Sequence, residues 1–465
     1  MSFSKVYRSR WLIAVSVVAI ALMLSLTPLL GARTRAAGNA NSQSFTFVFR
    51  GHSAALAQTG ATPPTDAQCR KLFGQPCYSP QEIRRAYGVT PLINAGFTGA
   101  GQSIVIIDSF GSPTIASDLH TFDVGYGLPD PPSFKVLAPL GKIKFDPHNS
   151  DMVGWAAETT LDVEWSHSIA PGANIVLMTS PVSETEGVQG FPEFLFLEQY
   201  ALNHHLGKII SQSFGATEQT LFNPGGRQIL RQFNDFYKQA ASENVTVFAS
   251  SGDSGSANVN INGKFYPFPT VNFPTSSPFV TSVGGTSLFA STSGVYDHET
   301  VWNNNTGATG GGVSQVFPEP GYQHNTLPTS DQKLLNGFRG IPDIAYNADP
   351  ATAILVYLSF LGPKQAGYYF IGGTSEGSPQ WAGLIADGNQ LAGRPLGFIN
   401  PALYQLGSGS DAAESFHDIT VGNNAFAGVP GYNATPGWDL TTGWGTPKAA
   451  TLLEELIEIT GGTAS

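Results

Sequence analysis

The chain has 465 residues, of which 41% are hydrophobic and only 12% are charged, and its formal net charge is −11 at pH 7. The hydrophobic fraction is sufficient for a large folded core, and the 53 Gly and 32 Pro stay below the level typical of low-complexity chains. Basic residues form no run after the first forty positions, so the composition argues against nucleic acid as a partner.

An apolar segment lies near the N-terminus, between Arg10 and Arg33, behind a basic stretch and ahead of small residues. This order is typical of an export signal, so we expect residues 1–37 to be a signal peptide and the protein to be secreted. The segment is nearly long enough to span a bilayer, which leaves a membrane anchor as the alternative. We expect no membrane association unless this segment is retained.

Residues 38–77 are rich in Ser, Ala, Thr, Gln and Pro and show little periodicity, which predicts a short leader ahead of the main domain. This stretch contains both cysteines of the chain, Cys69 and Cys77. In an oxidising compartment we expect them to form a disulfide, with two free thiols as the alternative. The sequence has no Cys/His motif typical of a zinc site, so we do not expect a zinc enzyme.

From Tyr78 onward, short apolar runs alternate with amphipathic stretches, which predicts an α/β domain with a mostly parallel central sheet flanked by helices. The apolar runs are SIVIIDSFG, ANIVLMTS, GKIISQSFG, VTVFASSGD, FVTSVGG and AILVYL. Helices are predicted over 152–167, 192–206, 226–244 and 379–392. No break in composition and no internal repeat divides this part of the sequence, so we expect a single large domain over 78–465.

Two acidic residues in the first long helical stretch, Glu158 and Asp162, are four positions apart and therefore share one helix face. A solvated acidic face is the alternative, but the neighbouring Trp155, Leu161 and Trp165 indicate a buried helix. Burial and a nearby like charge both favour protonated carboxyls, which allows such a pair to serve as a general base at acidic pH. We expect Glu158 to accept the proton of a nucleophile and Asp162 to orient Glu158.

A third acidic residue, Asp253, follows an apolar run in VTVFASSGDSGS. Open α/β sheets place their chemistry at this end of their strands, although an ordinary Asx turn would also explain the residue. A carboxyl stabilises an oxyanion only by donating a hydrogen bond. Asp253 would therefore have to be protonated when it acts.

Ser375 lies in FIGGTSEGSPQWAG, where an apolar strand leads through a glycine-rich turn into a helical pattern. A serine at this junction has its hydroxyl at the positive end of the helix dipole, where a developing oxyanion is stabilised. Ser375 is therefore a candidate nucleophile, and a simple helix N-cap is the alternative.

These motifs together resemble the sedolisin, or serine-carboxyl peptidase, family of the subtilisin-like clan. The matching positions are Glu158 and Asp162 in AETTLDVEW, Asp253 in SSGDSGS and Ser375 in GGTSEGSPQWAG. The resemblance extends over roughly 78–447 and implies a subtilisin-like fold in a single large catalytic domain. It also implies that Ser375 is the nucleophile, Glu158 the general base held by Asp162, and Asp253 the oxyanion-hole acid.

The sequence departs from the family pattern at two points. Sedolisins usually carry a prosegment of well over a hundred residues, whereas only residues 38–77 separate the expected signal from the expected domain. At the positions of an auxiliary Glu and Trp, the apparent equivalents are Asp108 in IVIIDSFG and Phe214 in SQSFGATE. The prosegment control and the proton relay of the family are therefore not directly transferable to this chain.

Two loops near the C-terminus, FHDITVGNN and YNATPGWDLTTGWGTP, contain the carboxylates and turns that suit a hard cation, although glycine-rich loops without an ion would look similar. The resemblance to sedolisins implies one structural Ca²⁺ here. The positions that match the calcium ligands of the family are Asp418, Ile419, Thr435, Gly437 and Asp439.

We therefore expect a secreted, monomeric serine-carboxyl peptidase that cleaves peptide or protein substrates at acidic pH. The sequence does not distinguish endopeptidase from tripeptidyl-peptidase action. One alternative is an inactive exported binding protein on the same scaffold. A second is a subtilase that uses Asp108 and Ser375, but none of the nine histidines is followed by Gly as in the H-G-T context of a subtilase base.

Overall fold

The computed structural model describes residues 46–49 and 52–461, with side chains from residue 57 onward, so the expected signal peptide lies outside the described residues. The strands are β1 (Thr46–Phe49), β2 (His52–Thr59), β3 (Ser103–Ser109), β4 (Phe134–Leu137), β5 (Asn174–Ser180), β6 (Ile209–Gln212), β7 (Ala216–Thr217), β8 (Thr246–Ser250), β9 (Asn272–Phe273), β10 (Thr281–Ala290), β11 (Tyr296–Val301), β12 (Asn303–Asn304), β13 (Gly307–Ala308), β14 (Gly312–Pro318), β15 (Phe338–Ile341), β16 (Ile344–Asn347), β17 (Ile354–Leu358), β18 (Gly367–Ile371), β19 (Phe416–His417) and β20 (Thr446–Pro447).

The helices are α1 (Asp66–Phe73), α2 (Pro80–Ala86), α3 (Thr90–Asn94), α4 (Ile115–Tyr126), α5 (Ser150–Ile169), α6 (Phe191–Asn203), α7 (Pro224–Ser242), α8 (Gly321–His324), α9 (Thr329–Leu335), α10 (Gly377–Ala392), α11 (Asn400–Gly407), α12 (Ala412–Ser415) and α13 (Ala449–Ile459). The four helices predicted from periodicity correspond to α5, α6, α7 and α10. Their observed ends differ from the predicted ones by up to three residues.

The central sheet has the strand order β11-β10-β8-β6-β3-β5-β4, and β16 also pairs with β10. All of these pairs are parallel except β10 with β11, which are antiparallel. The mostly parallel α/β sheet expected from the sequence is therefore confirmed. The carboxyl ends of the parallel strands form one edge, where the functional loops of such sheets gather.

The sheet separates two apolar cores, and strand β3 contributes to both. Ile104 and Ile106 pack in the core that contains α5 and α10, whereas Val105 and Ile107 pack in the core that contains α6 and α7. Successive side chains of a strand point to opposite faces, so a strand covered on both sides is a continuous apolar run. This burial explains why SIVII shows no polar alternation.

A second sheet is antiparallel and has the order β1-β2-β18-β17. It corrects two expectations from the sequence. The run AILVYL forms β17, which pairs antiparallel with β18 and not in the central sheet. The leader predicted over 38–77 contains β2, which pairs with β18, so the folded part of the chain begins before Tyr78.

Cys69 and Cys77 are joined by a disulfide just before Tyr78, and both residues are buried. The backbone N–H of Cys77 also donates a hydrogen bond of 3.0 Å to Oδ1 of Asp66, the first residue of α1. These contacts attach α1 to the segment that enters the main domain. The described residues belong to one compact unit, and none of their helices has the length and apolar composition required to cross a membrane.

Candidate active site

Ser375 lies in a short 3-10 turn, Thr374–Glu376, between the end of β18 and the start of α10. Two glycines allow this turn. Gly373 has φ 126° and ψ 160°, a conformation that is essentially restricted to glycine. A Cβ on Gly372 would lie 2.6 Å from the carbonyl oxygen of Ala348, so a side chain would not fit there. The glycines thus place Ser375, 7% exposed, immediately before α10.

Glu158 and Asp162 lie one turn apart on α5, and both are fully buried. The helix packs against α10 and against the turn that carries Ser375. This position excludes the solvated acidic face that was the alternative for the pair. It places two buried carboxyls on the helix that packs against the turn of the candidate nucleophile.

Ser213, just after β6, links the acid pair to the nucleophile turn. Its Oγ donates a hydrogen bond of 2.9 Å to Oδ1 of Asp162, and the same Oγ lies 3.5 Å from the carbonyl oxygen of Ser375. Sequence analysis did not identify Ser213. Its position directly after a buried parallel strand, as for Asp253, was the available signal.

Asp253 follows β8 and contacts the residue before Ser375. Its Oδ1 accepts hydrogen bonds from the backbone N–H of Thr374 at 2.7 Å and from Thr374 Oγ1 at 2.8 Å. The backbone N–H of Gly252 in turn donates to Thr374 Oγ1 at 2.9 Å. These bonds cross between distant parts of the chain, unlike an ordinary Asx turn. Because Oδ1 accepts both, a proton on the Asp253 carboxyl belongs on Oδ2.

A cleft of about 470 Å³ opens at this edge of the sheet, and its walls include Ser213, Asp253, Thr374 and Ser375. This volume lies in the range of ordinary ligand-binding clefts. Within the described residues, no Lys, Arg or His lines the cleft. The structure therefore offers no imidazole base next to Ser375, as a subtilase mechanism would require.

The two auxiliary positions lie at the ends of two paired strands of the central sheet, Asp108 in β3 and Phe214 just after β6. Asp108 is fully buried near the end of β3, opposite Thr179 of β5 in the parallel register. Phe214 lines the cleft, and its ring packs against Phe194 with centroids 4.2 Å apart. Phe194 also contacts Trp155 of α5. Phe214 thus connects the wall of the cleft to the apolar core around the helix that carries the acid pair.

The two loops predicted to bind calcium are brought together in the structure. Oδ2 of Asp418 accepts a hydrogen bond of 2.9 Å from the N–H of Gly437, and Oδ2 of Asp439 accepts one of 3.0 Å from the N–H of Thr435. Burial raises the pKa of both carboxyls. The segment 435–437 therefore bridges the two acidic side chains.

The donor set at these loops fits a hard cation. Two carboxylates flank the segment, and such groups combine with backbone carbonyls in calcium sites. Among the described residues, no hydrogen bond reaches the carbonyl oxygens of Ile419, Thr435 and Gly437, so these oxygens are available as ligands. A bound divalent cation would also offset the repulsion between Asp418 and Asp439.

The sequence was compared with known proteins. No protein-family model matches the chain. Kumamolisin from Bacillus sp. (strain MN-32) is 36% identical over 385 residues, which are 82% of this chain and 64% of kumamolisin. Tripeptidyl-peptidase 1 from Homo sapiens is 32% identical over 320 residues, which are 64% of this chain and 52% of that protein. The chain thus spans between about half and two thirds of the length of these two relatives.

Among solved structures, the fold is similar to that of Pseudomonas sedolisin, a serine-carboxyl proteinase, complexed with two molecules of pseudo-iodotyrostatin. The TM-score is 0.67 and the sequence identity is 29%. The match covers 82% of this chain and 97% of the sedolisin chain. The likeness therefore includes nearly the whole of that protein's fold.

Proposed function

Because the chain belongs to the sedolisin family, we propose that it is a serine-carboxyl peptidase that hydrolyses peptide bonds through an acyl-enzyme on Ser375. The observation that carries this proposal is the pair of hydrogen bonds from Thr374 to Asp253, which hold a carboxyl beside the candidate nucleophile in an open cleft. The substrates would be peptides or proteins. Residues 1–37 would direct export, and the enzyme would act as a secreted monomer.

In the acylation step, Oγ of Ser375 attacks the carbonyl carbon of the scissile bond while its proton passes to the Glu158 carboxylate. Asp162 holds Glu158 in position, and Ser213 holds Asp162. The protonated Glu158 then gives its proton to the leaving amine as the C–N bond breaks. In deacylation a water molecule takes the place of the amine and attacks the ester carbonyl, and Glu158 accepts its proton. Glu158 then returns this proton to Oγ of Ser375 as the C–O bond of the ester breaks, which releases the carboxylic acid and the free serine.

Each tetrahedral intermediate places a negative charge on the former carbonyl oxygen. The Asp253 carboxyl, protonated on Oδ2, would donate a hydrogen bond to that oxygen. This role requires acidic conditions, because an ionised Asp253 has no proton to donate and would repel the oxyanion. We therefore propose that activity peaks between about pH 3 and 5 and falls toward neutrality.

One Ca²⁺ would bind the carboxylates of Asp418 and Asp439 and the carbonyl oxygens of Ile419, Thr435 and Gly437. The ion would supply structural cross-linking of two loops and take no part in peptide hydrolysis. Binding to the folded chain alone would stabilise it by mass action.

The test of the proposed function is Ser375→Ala, assayed with fluorogenic peptides at acidic pH. Loss of a serine nucleophile costs on the order of a millionfold in turnover elsewhere, so we expect activity to vanish while the melting temperature is retained. Ser378→Ala, three residues along in α10, is the matched control and should remain active. Activity of Ser375→Ala within about tenfold of the wild type would contradict the assignment.

A further inference from the structure

A second acidic side chain, in addition to Asp253, lines the cleft. Glu186 lies in the loop between β5 and α6 and is half-buried. The backbone N–H of Thr217 donates to its Oε2 at 2.9 Å, and Oγ1 of Thr217 lies 3.1 Å from its Oε1. Oγ1 of Thr220 lies 3.4 Å from Oε2. These contacts hold the carboxylate in a defined position on the cleft wall.

The two threonine hydroxyls near Glu186 also have other acceptors. Oγ1 of Thr217 is 2.8 Å from the carbonyl oxygen of Val259, and Oγ1 of Thr220 is 2.7 Å from the carbonyl oxygen of Thr217. Each hydroxyl has one proton, so each can turn it to the alternative acceptor when another donor approaches the carboxylate. Glu186 can therefore accept hydrogen bonds from a cationic group and keep its bond from the Thr217 N–H.

The surroundings of Glu186 also suit a cation. No basic side chain of the described residues lines the cleft. Phe265 and Phe426 also line the cleft and contact each other edge to face, with centroids 6.2 Å apart. Burial and the negative charge of Glu186 raise the pKa of Tyr266. Aromatic rings attract cations and pack against the aliphatic stems of Lys and Arg.

The length of chain between Ser213 and Thr217, which binds Glu186, limits how far the carboxylate lies from the reaction centre. Thr217 is four residues beyond Ser213, which corresponds to at most about 13 Å of extended chain. A substrate in extended conformation also advances about 3.3 Å per residue. The limit of about 13 Å corresponds to about four substrate residues, so Glu186 lies at a depth that suits a residue up to about four positions from the scissile bond.

We propose that Glu186 is a specificity-determining residue that binds a positively charged nitrogen of the substrate two to four residues from the bond that is cleaved. The nitrogen belongs either to a Lys or Arg side chain or to a free N-terminal ammonium. This inference rests on the proposed peptidase function, because it assigns a substrate preference to the same cleft.

The test uses internally quenched peptides that differ at one position. In N-acetylated peptides, Lys or Gln is placed two, three or four residues from the scissile bond, on either side. A second set compares free and acetylated N-termini. We expect the wild type to prefer the charged peptide by about tenfold in kcat/KM at one position, mainly through KM, since a fixed charge pair acts on binding. The responding set identifies the source of the charge.

Two variants test whether Glu186 causes the preference. Glu186→Gln should reduce the charged-to-neutral ratio of kcat/KM to within about twofold of unity, and Glu186→Lys should reverse it in favour of a peptide with Glu at the same position. Glu454→Gln, on the exposed side of α13, is the matched control and should keep the wild-type ratio. Melting temperatures establish that each variant is folded.

The outcomes separate this inference from the proposed function. If the wild type cleaves every peptide without preference for charge, or if Glu186→Gln keeps the preference, then the role of Glu186 is wrong and the peptidase assignment stands. If the wild type cleaves none of the peptides at any pH, the proposed function fails, and the specificity inference fails with it.

Discussion

The substitution Ser213→Ala removes the hydroxyl that links the buried acid pair to the nucleophile turn. Oγ of Ser213 lies 2.9 Å from Asp162 Oδ1 and 3.5 Å from the carbonyl oxygen of Ser375. A hydroxyl has one proton to donate, and the shorter distance assigns it to Asp162. The variant would therefore weaken the support of Asp162, and through it the orientation of Glu158, while every reacting group remains.

The size of the effect follows from this single hydrogen bond. A hydrogen bond to a charged group contributes about 1.5–3 kcal/mol, and about 1.36 kcal/mol in the barrier changes the rate tenfold. We therefore expect kcat to fall about ten- to a hundredfold. Ser213 acts as a positioning residue, so the loss should be far smaller than the roughly millionfold loss expected on removal of the Ser375 hydroxyl.

The assay is steady-state hydrolysis of one fluorogenic peptide between about pH 3 and 7, with melting temperatures recorded for each variant. Ser211→Ala is the matched control. Ser211 is two residues earlier in the same region, is fully buried, and pairs with Ser378 through hydroxyl oxygens 2.9 Å apart. This pair is neutral and forms its own hydrogen bond, so Ser211→Ala should lower the melting temperature and leave kcat within about twofold of the wild type.

Two results would contradict this reasoning. If Ser213→Ala keeps kcat within about twofold of the wild type, the hydrogen bond to Asp162 has no part in positioning the base. If Ser211→Ala loses as much activity as Ser213→Ala, the loss reflects general packing of this strand. In either case the proposed chain of support from Ser213 through Asp162 to Glu158 would have to be abandoned.

Three further predictions concern pH and calcium. In Asp253→Asn, Oδ1 can still accept the hydrogen bonds from Thr374, and the side-chain amide is a donor at every pH. Any activity that survives should therefore extend to higher pH than in the wild type. An unchanged pH profile would contradict the oxyanion role. Excess chelator or Asp418→Ala should lower the free energy of unfolding by about 2.7 kcal/mol if the calcium concentration is a hundred times Kd. Asp411→Ala, at an exposed position, is the control and should have little effect. Equal unfolding curves with and without chelator would argue against the site. Burial raises the pKa of Glu218 from 4.5 to about 7. Between these pH values the folded chain keeps a proton that the unfolded chain loses. The contribution to the free energy of unfolding is therefore complete below pH 4.5 and is lost as pH rises to about 7. The difference corresponds to about 3 kcal/mol, which urea unfolding should detect in the wild type, and the pH dependence should be reduced in Glu218→Gln.

The alternation of strands and helices could be predicted from the sequence because burial on both faces of a parallel sheet leaves continuous apolar runs. The same signal failed for AILVYL, which forms β17 in the antiparallel sheet. A short buried strand is apolar in either kind of sheet, so periodicity does not identify its partners. The start of the domain was also placed too late, because β2 carries no pattern that reveals its pairing with β18.

By itself, the sequence determined the local chemistry of the candidate site. Three short-range patterns identified the candidates. A spacing of four positions on one helix identified Glu158 and Asp162, the end of an apolar strand identified Asp253, and a glycine-rich turn before a helix identified Ser375. Their contexts were also sufficient for the resemblance to sedolisins. Such patterns depend on backbone geometry within a few residues, which the sequence specifies directly.

Only the tertiary structure determined how these residues are held and what surrounds them. Ser213 meets Asp162 across 51 residues, Asp253 meets Thr374 across 121, and Ser213 approaches Ser375 across 162. Glu186 enters the cleft wall because Thr217, 31 residues later, binds its carboxylate. Contacts of this kind depend on how helices and strands pack against one another, so no local pattern in the sequence specifies them.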